Sequence, residues 1–273
     1  MAKFIPVNKT EHAGKAWRRP AHYGFVATEP TIPLVSVEFA KAAVSMPIAF
    51  VAQEGRYVPV AMTSPIAGRN MFIGPSGQWL GTYMPAALAA YPFRLARVEG
   101  KPELVLCIDQ DSIAPDGIGQ SFFDPDGSPS AAIKAVLEML KPVEGGRTLT
   151  ETAVAALAEA GVIQPWSLNI AIEGQPADRR PTPLKDLYRI DETALNALDD
   201  AAFLKLRKAS ALPLAYLQIL SMGQTSLFPQ LMSLYKRLAP TQQQKPQTPL
   251  QQLPPNLLDE FFAAAENETV RFK

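Results

Sequence analysis

Twenty-six prolines in 273 residues constrain this chain more than any other feature. That is roughly twice the ~5% of average usage, and each proline fixes φ and withdraws a backbone donor. Long uninterrupted helices and central strands should therefore be scarce, with short elements and stiff turns in their place. The length exceeds the commonest domain size of ~100–150 residues but still suits one large domain with a tail.

Charge excludes several classes of partner. Lys plus Arg and Asp plus Glu both total 26, so no long-range field draws the chain to nucleic acid or to an anionic membrane surface. Cys107 is the one cysteine, which rules out an intrachain disulfide or a multi-cysteine zinc site and fits a reducing compartment. Residues Met1 to Pro20 hold no apolar core of the kind an export signal needs. Arg18-Arg19 precedes Glu29 and Pro30 rather than an apolar run and reads as a solvated basic turn. No stretch reaches the ~20 apolar residues that span a bilayer. The expectation is a soluble, cytoplasmic protein.

Periodicity predicts an α+β fold, with an antiparallel sheet and short helices in the N-terminal two-thirds and a small helical layer after it. Val35–Val44 has helical spacing, with Glu38 and Lys41 on its polar face. Ile48–Ala52 and Tyr57–Thr63 flank Glu54-Gly55-Arg56 as a hairpin. Further strands are expected at Asn70–Ile73, Phe93–Val98, Leu104–Ile108, Ser167–Ile172 and Leu184–Ile190, and a turn or two of helix at Tyr83–Ala90. Ser130 should cap a helix that Pro142 stops, with a second helix over Thr150–Ala160 closed by Gly161. Asp191–Leu238 reads as mostly helical, and the folded body of residues 1–240 ends at a Gln- and Pro-rich linker over 241–255. Residues 256–273 form a short amphipathic segment, a candidate docking helix for a partner.

Few residues suggest chemistry. His12 and His22 are the only histidines, so a three-histidine zinc site cannot form and a histidine-based triad has little choice of base. Asp109 follows an apolar strand pattern, and Asp124 and Asp126 sit in Phe-Asp-Pro-Asp-Gly, which is also a common turn. Asp109, Asp124 and His12 are the acid–base candidates. Trp79, Tyr83, Tyr91 and Arg94 belong to the densest aromatic patch, suited to stacking on a planar ligand or clamping a carboxylate. Gly68-Arg69-Asn70 and Gly74-Pro75-Ser76-Gly77 lack the spacing of a phosphate-binding loop. No pattern calls for a cofactor or a metal.

One longer string, residues 68–96, carries Asn70 and Phe72, then Trp79, Tyr83 and Pro85, then Tyr91-Pro92-Phe93. In order and spacing it resembles the SapC family of bacterial proteins. The likeness extends over roughly residues 4–238. It includes His12, Pro33-Leu34-Val35, Glu38-Phe39, Pro47-Ile48, Leu106-Cys107-Ile108-Asp109, Phe123-Asp124, Asp126-Gly127 and Tyr188-Arg189-Ile190-Asp191-Glu192. The family takes its name from a surface-layer locus, and its relatives occur near genes for outer-membrane receptors and flavin-dependent halogenase-like proteins. The resemblance thus implies an accessory role in uptake or modification, and it brings no established activity. A peptide-transport permease bears the same name, but the missing spans argue against a permease here.

These readings converge on a non-catalytic binding or accessory protein with a protein partner and, as a further candidate, a small-molecule ligand. An enzyme using Asp109, Asp124 or His12 in an aromatic-lined pocket, with Arg94 fixing an anionic substrate, is the alternative. A surface-layer component is the third.

Overall fold

The computed structural model describes residues 3–97, 103–114, 117–168 and 182–239. The expected linker and C-terminal segment over 241–273 lie outside them. Three antiparallel sheets form among the described residues. The largest runs β10 (Ile163–Pro165), β11 (Leu187–Ile190), β4 (Ile48–Gln53), β5 (Arg56–Met62), β3 (Thr31–Pro33). A second has the order β1 (Phe4–Pro6), β7 (Leu104–Asp109), β6 (Phe93–Arg97), and a third pairs β2 (Ala16–Trp17) with β8 (Ile113–Ala114) and β9 (Gln120–Ser121). The helices are α1 (Lys9–His12), α2 (Phe39–Ala43), α3 (Ala86–Ala89), α4 (Ala131–Glu159), α5 (Glu192–Asn196), α6 (Asp200–Lys208), α7 (Ala211–Ser221) and α8 (Leu227–Leu238). The chain is thus α+β, with its later helices gathered toward the C-terminal end of the described body.

The β4–β5 hairpin follows from its turn. Glu54 and Gly55 both take positive φ, 51° and 74°, as a two-residue loop matched to strand twist requires. Gln53 pairs with Arg56 and Ile48 with Ala61. Ile48, Ala49 and Phe50 are wholly buried.

Helix α4 departs from the expected pair of short helices. It runs 29 residues through Pro142, so proline does not stop it. Pro142 is exposed, as is Glu138, whose carbonyl loses its intrahelical donor and meets water instead. The buried stripe also continues, but it changes character. Ile133, Val136 and Leu140 give way to Glu144, Gly146 and Thr150 before Ala153, Val154 and Leu157 restore an apolar face. Thr150 Oγ1 accepts from Ser36 N at 2.7 Å, and a Cβ on Gly146 would come within 3.2 Å of Val37. Ser130 Oγ accepts from Ile133 N at 3.3 Å as the cap.

This change of face divides the interior. The first half of α4 packs with Trp17, Phe93, Ile108 and Phe122. Its second half joins the larger core of β4, β5, α2, α7 and α8, which includes Phe39, Phe50, Phe72 and Phe228. One helix therefore serves two apolar clusters, and its polar middle lies at the seam.

Other expectations shift. Asn70–Ile73 is no strand; it makes turns, with an isolated bridge from Ile73 to Trp79. Residues 167 and 168 are not extended pairs, the observed strand being β10, and 169–172 fall outside the described residues. Val35–Val44 divides into a 3-10 turn over Ser36–Glu38 and α2. The basic segment near Arg18 is tied down: Arg18 Nε donates to Ile118 O at 2.7 Å and Arg19 to Ala89 O at 2.8 Å.

Candidate functional site

A groove of about 600 Å³ opens along the polar middle of α4, between β6 and β5. Tyr91, Phe93, Arg94, Leu95 and Ala96 contribute from the smaller sheet, and Tyr57, Val58 and Pro59 from the larger one. Leu140, Val143, Glu144, Arg147, Thr150, Glu151 and Val154 of α4 line it too, and Phe4, Leu34, Glu38 and Ala86 are among its other walls. Glu144, 7% exposed, accepts from Arg147 Nε at 2.8 Å and from Arg97 Nε at 3.3 Å, so α4 and β6 are held together at this point.

Strand β6 is an edge. Among the described residues it pairs only with β7, in a register that matches Phe93 with Ile108 and Arg94 with Cys107. Asp109 N donates to Pro92 O at 2.9 Å, which fixes the alternation: Arg94 and Ala96 face the ladder, and Leu95 and Arg97 present their N–H and C=O outward. The same argument applies to β5, where Met62 N donates to Pro47 O and Leu34 N to Pro59 O. The backbone of Tyr57 then points away from β4, beyond the end of β3.

The aromatic patch does not act as one platform. Tyr91 and Arg94 line the groove, whereas Trp79 and Tyr83 do not. Trp79 stacks on Phe72 at 5.2 Å and donates from Nε1 to Tyr83 O at 3.0 Å. Tyr83 donates its hydroxyl to Glu38 Oε1 at 2.8 Å. Glu38 also accepts from Ala86 N at 2.7 Å and from Val35 N at 3.1 Å, and it is 5% exposed. Its place on a polar helix face is thus corrected: a buried carboxylate closes its own turn at Val35 and ties it to the Tyr83–Ala86 segment. The Arg94 guanidinium lies 4.0 Å over the Phe4 ring and has no acidic partner among the described residues.

The acid–base candidates lie apart. Asp109, 2% exposed, accepts from the Tyr91 hydroxyl and caps the turn at Gln110–Ser112. Asp124 belongs to the Asp-Pro-Asp-Gly turn, with Gly127 N donating to its carbonyl at 2.8 Å. There the amide of Ser128 holds the Asp126 carboxyl below its usual range. His12 is fully buried against Phe122, with Nδ1 at 3.1 Å from Asn8 O, and borders a separate cleft of about 280 Å³. None of the three lines the groove. Burial pushes the Cys107 thiol up, with Arg94 partly opposing, so it suits packing rather than attack. No three His, Cys, Asp or Glu gather as a metal site among the described residues, and no helix among them is long and apolar enough to cross a membrane.

Two phenols carry a testable signature. Burial first, then the Asp109 hydrogen bond, pushes Tyr91 from 10.0 up to about 12. Burial and Glu38 raise Tyr83 as well. Both hold their proton more tightly folded than unfolded, so their support for the fold is complete below pH 10; that of Tyr91 is lost as pH rises through about 12, and that of Tyr83 is lost later still. Phenolate absorbance should show part of the signal from the seven tyrosines appearing only above pH 10. Tyr83→Phe and Tyr91→Phe should each subtract from that late part; subtraction from the early part would refute the assignment.

No curated protein and no solved structure matches the chain significantly. The model of one family, SapC, matches residues 7–227 and so covers most of the chain. The chain belongs to the SapC family.

Proposed function

We propose that this protein is a non-catalytic binding protein that accepts an extended segment of a protein partner as an added strand on β6. The observation that carries the reading is the outward row of Leu95 and Arg97 backbone groups beside a groove. An unpaired edge is a template for strand addition, in which main-chain hydrogen bonds give affinity and neighbouring pockets give specificity. Arg94, with no acidic partner among the described residues, favours a segment that offers a carboxylate there, and the apolar walls from Leu95, Leu140 and Val154 favour alternate apolar residues. Such a partner-binding edge suits an accessory role, in the cytoplasm, within an uptake or modification system. The separation of Asp109, Asp124 and His12 lends no support to acid–base catalysis.

The test is selection from a random-peptide library, followed by affinity measurement on the recovered peptide. Leu95→Pro removes one outward donor and leaves the β7 ladder whole, because proline is tolerated on an edge where its nitrogen faces solvent. Binding should fall by about tenfold or more, and further than in Leu95→Ala, which loses the same side chain from the groove and the neighbouring apolar cluster but keeps the donor. Equal binding by the parent and Leu95→Pro would sink the proposal.

A further inference from the structure

A second cleft, of about 680 Å³, is independent of the groove and shares no lining residue with it. His22, Arg69, Asn70, Ser76, Gly77 and Tyr235 are among its walls, and no Asp or Glu among the described residues lines it. Its polar side chains are therefore dominated by donors.

Three of them stand ready. The Arg69 guanidinium lies 5.3 Å from the centroid of the Tyr235 ring, on α8, and has no acidic partner among the described residues. Stacking of this kind holds the planar fork in place while leaving its N–H edges open. Asn70 is 3% exposed; its Oδ1 accepts from Phe72 N at 3.0 Å, and its Nδ2 has no hydrogen-bond partner among the described residues. A buried amide donor without an acceptor is destabilising, so this position favours an acceptor arriving from outside the chain. His22 is exposed but positioned by two glycines. A Cβ on Gly77, whose φ is +79°, would stand 2.8 Å from the Cβ of His22, and one on Gly24 would stand 3.3 Å from its Nδ1. The backbone bond from Tyr23 N to Gly77 O at 2.7 Å fastens the two segments together.

The remaining polar groups of the loop are already engaged. Ser76 turns both its amide and its hydroxyl to Gln78 Oε1, at 3.1 and 2.5 Å. Gly77 N donates to Gly74 O, and Gly74 N to Gln78 O. The loop is thus self-closed, and recognition falls to Arg69, Asn70 and His22.

We infer that this cleft binds a small molecule through an oxyanion, a carboxylate or a phosphate, held by the Arg69 fork with Asn70 Nδ2 and His22 as further donors. Guanidinium groups match the planar oxygen pairs of both anions, and charge-assisted bonds of this kind are the strong ones. The ring of Tyr235 supplies an apolar wall for the rest of the ligand.

Titration of the full chain with inorganic phosphate and, separately, with succinate tests this, followed by NMR of the His22 ring and by calorimetry. Saturable binding of either probe supports the site, and the tighter one names the ligand class. Arg69→Gln should weaken that binding by about tenfold or more, and His22→Ala, at an exposed position, should weaken it less. Arg94→Gln, in the groove, should leave it unchanged, which separates this site from strand addition. Non-saturating shifts with both probes, or saturable binding that Arg69→Gln and His22→Ala leave intact, would overturn the inference.

Discussion

Replacing Glu38 with alanine should destabilise the fold by about 4 kcal/mol, a substantial share of the ~5–15 kcal/mol margin of a typical domain. The carboxylate accepts from two backbone amides, Val35 and Ala86, and from the Tyr83 hydroxyl. Truncation strands three donors around a site only 5% exposed, and each unsatisfied buried donor costs about 1–3 kcal/mol. Glu38→Gln isolates the chemistry from the packing. Its oxygen can still serve Tyr83 and Ala86, but its amide nitrogen then faces the N–H of Val35, so an intermediate loss is expected. Chemical denaturation checks both variants. An alanine variant as stable as the parent would show that the node is ornamental.

Gln218→Leu should cost about 3 kcal/mol although leucine fits the volume and the helix. Strands β11 and β4 pair from Leu187↔Val51 to Tyr188↔Phe50, and the same register would next bring Ile190 opposite Ile48. Gln218 of α7 enters at that point instead. Its Oε1 accepts from Ile190 N at 2.8 Å and its Nε2 donates to Ile48 O at 3.0 Å. Ser221 Oγ accepts from Ile48 N at 2.9 Å and donates to Gln218 O at 2.6 Å. One buried amide thus completes a ladder where the strands diverge, and leucine would orphan a donor and an acceptor in the core. Unfolding free energies of Gln218→Leu and Ser221→Ala decide this; neutral substitution would mean the sheet closes the gap by itself.

How much of this was legible in the sequence depended on range. The β4–β5 hairpin was readable because alternation and the Glu54-Gly55 turn are local. Ser130 was a correct cap, whereas Asp191 and Asp199, which cap α5 and α6, were not singled out as caps. The N-terminal strands were not readable: β1 and β2 have three and two residues, and their partners β7, β8 and β9 lie about a hundred residues away. That pairing also buries His12, which composition alone left as a candidate base. Helix α4 was misread because its buried face turns polar at Glu144, Gly146 and Thr150, so the apolar period fails where the helix does not. Glu38, Gln218 and Asn70 carry no local sign of burial. Tyr91 and Arg94 were singled out from density alone and do line the groove, while the free edge beside them is a property of sheet order, which no local pattern encodes.

Amide hydrogen exchange at Leu95 and Arg97, read with and without a bound library-selected peptide, tests strand addition on β6 most directly. Both amides face outward from the β6–β7 ladder and should exchange quickly in the free protein. The account predicts that the peptide slows both by about tenfold or more, as new main-chain bonds form. Unchanged exchange at both positions, with protection arising elsewhere, would contradict it.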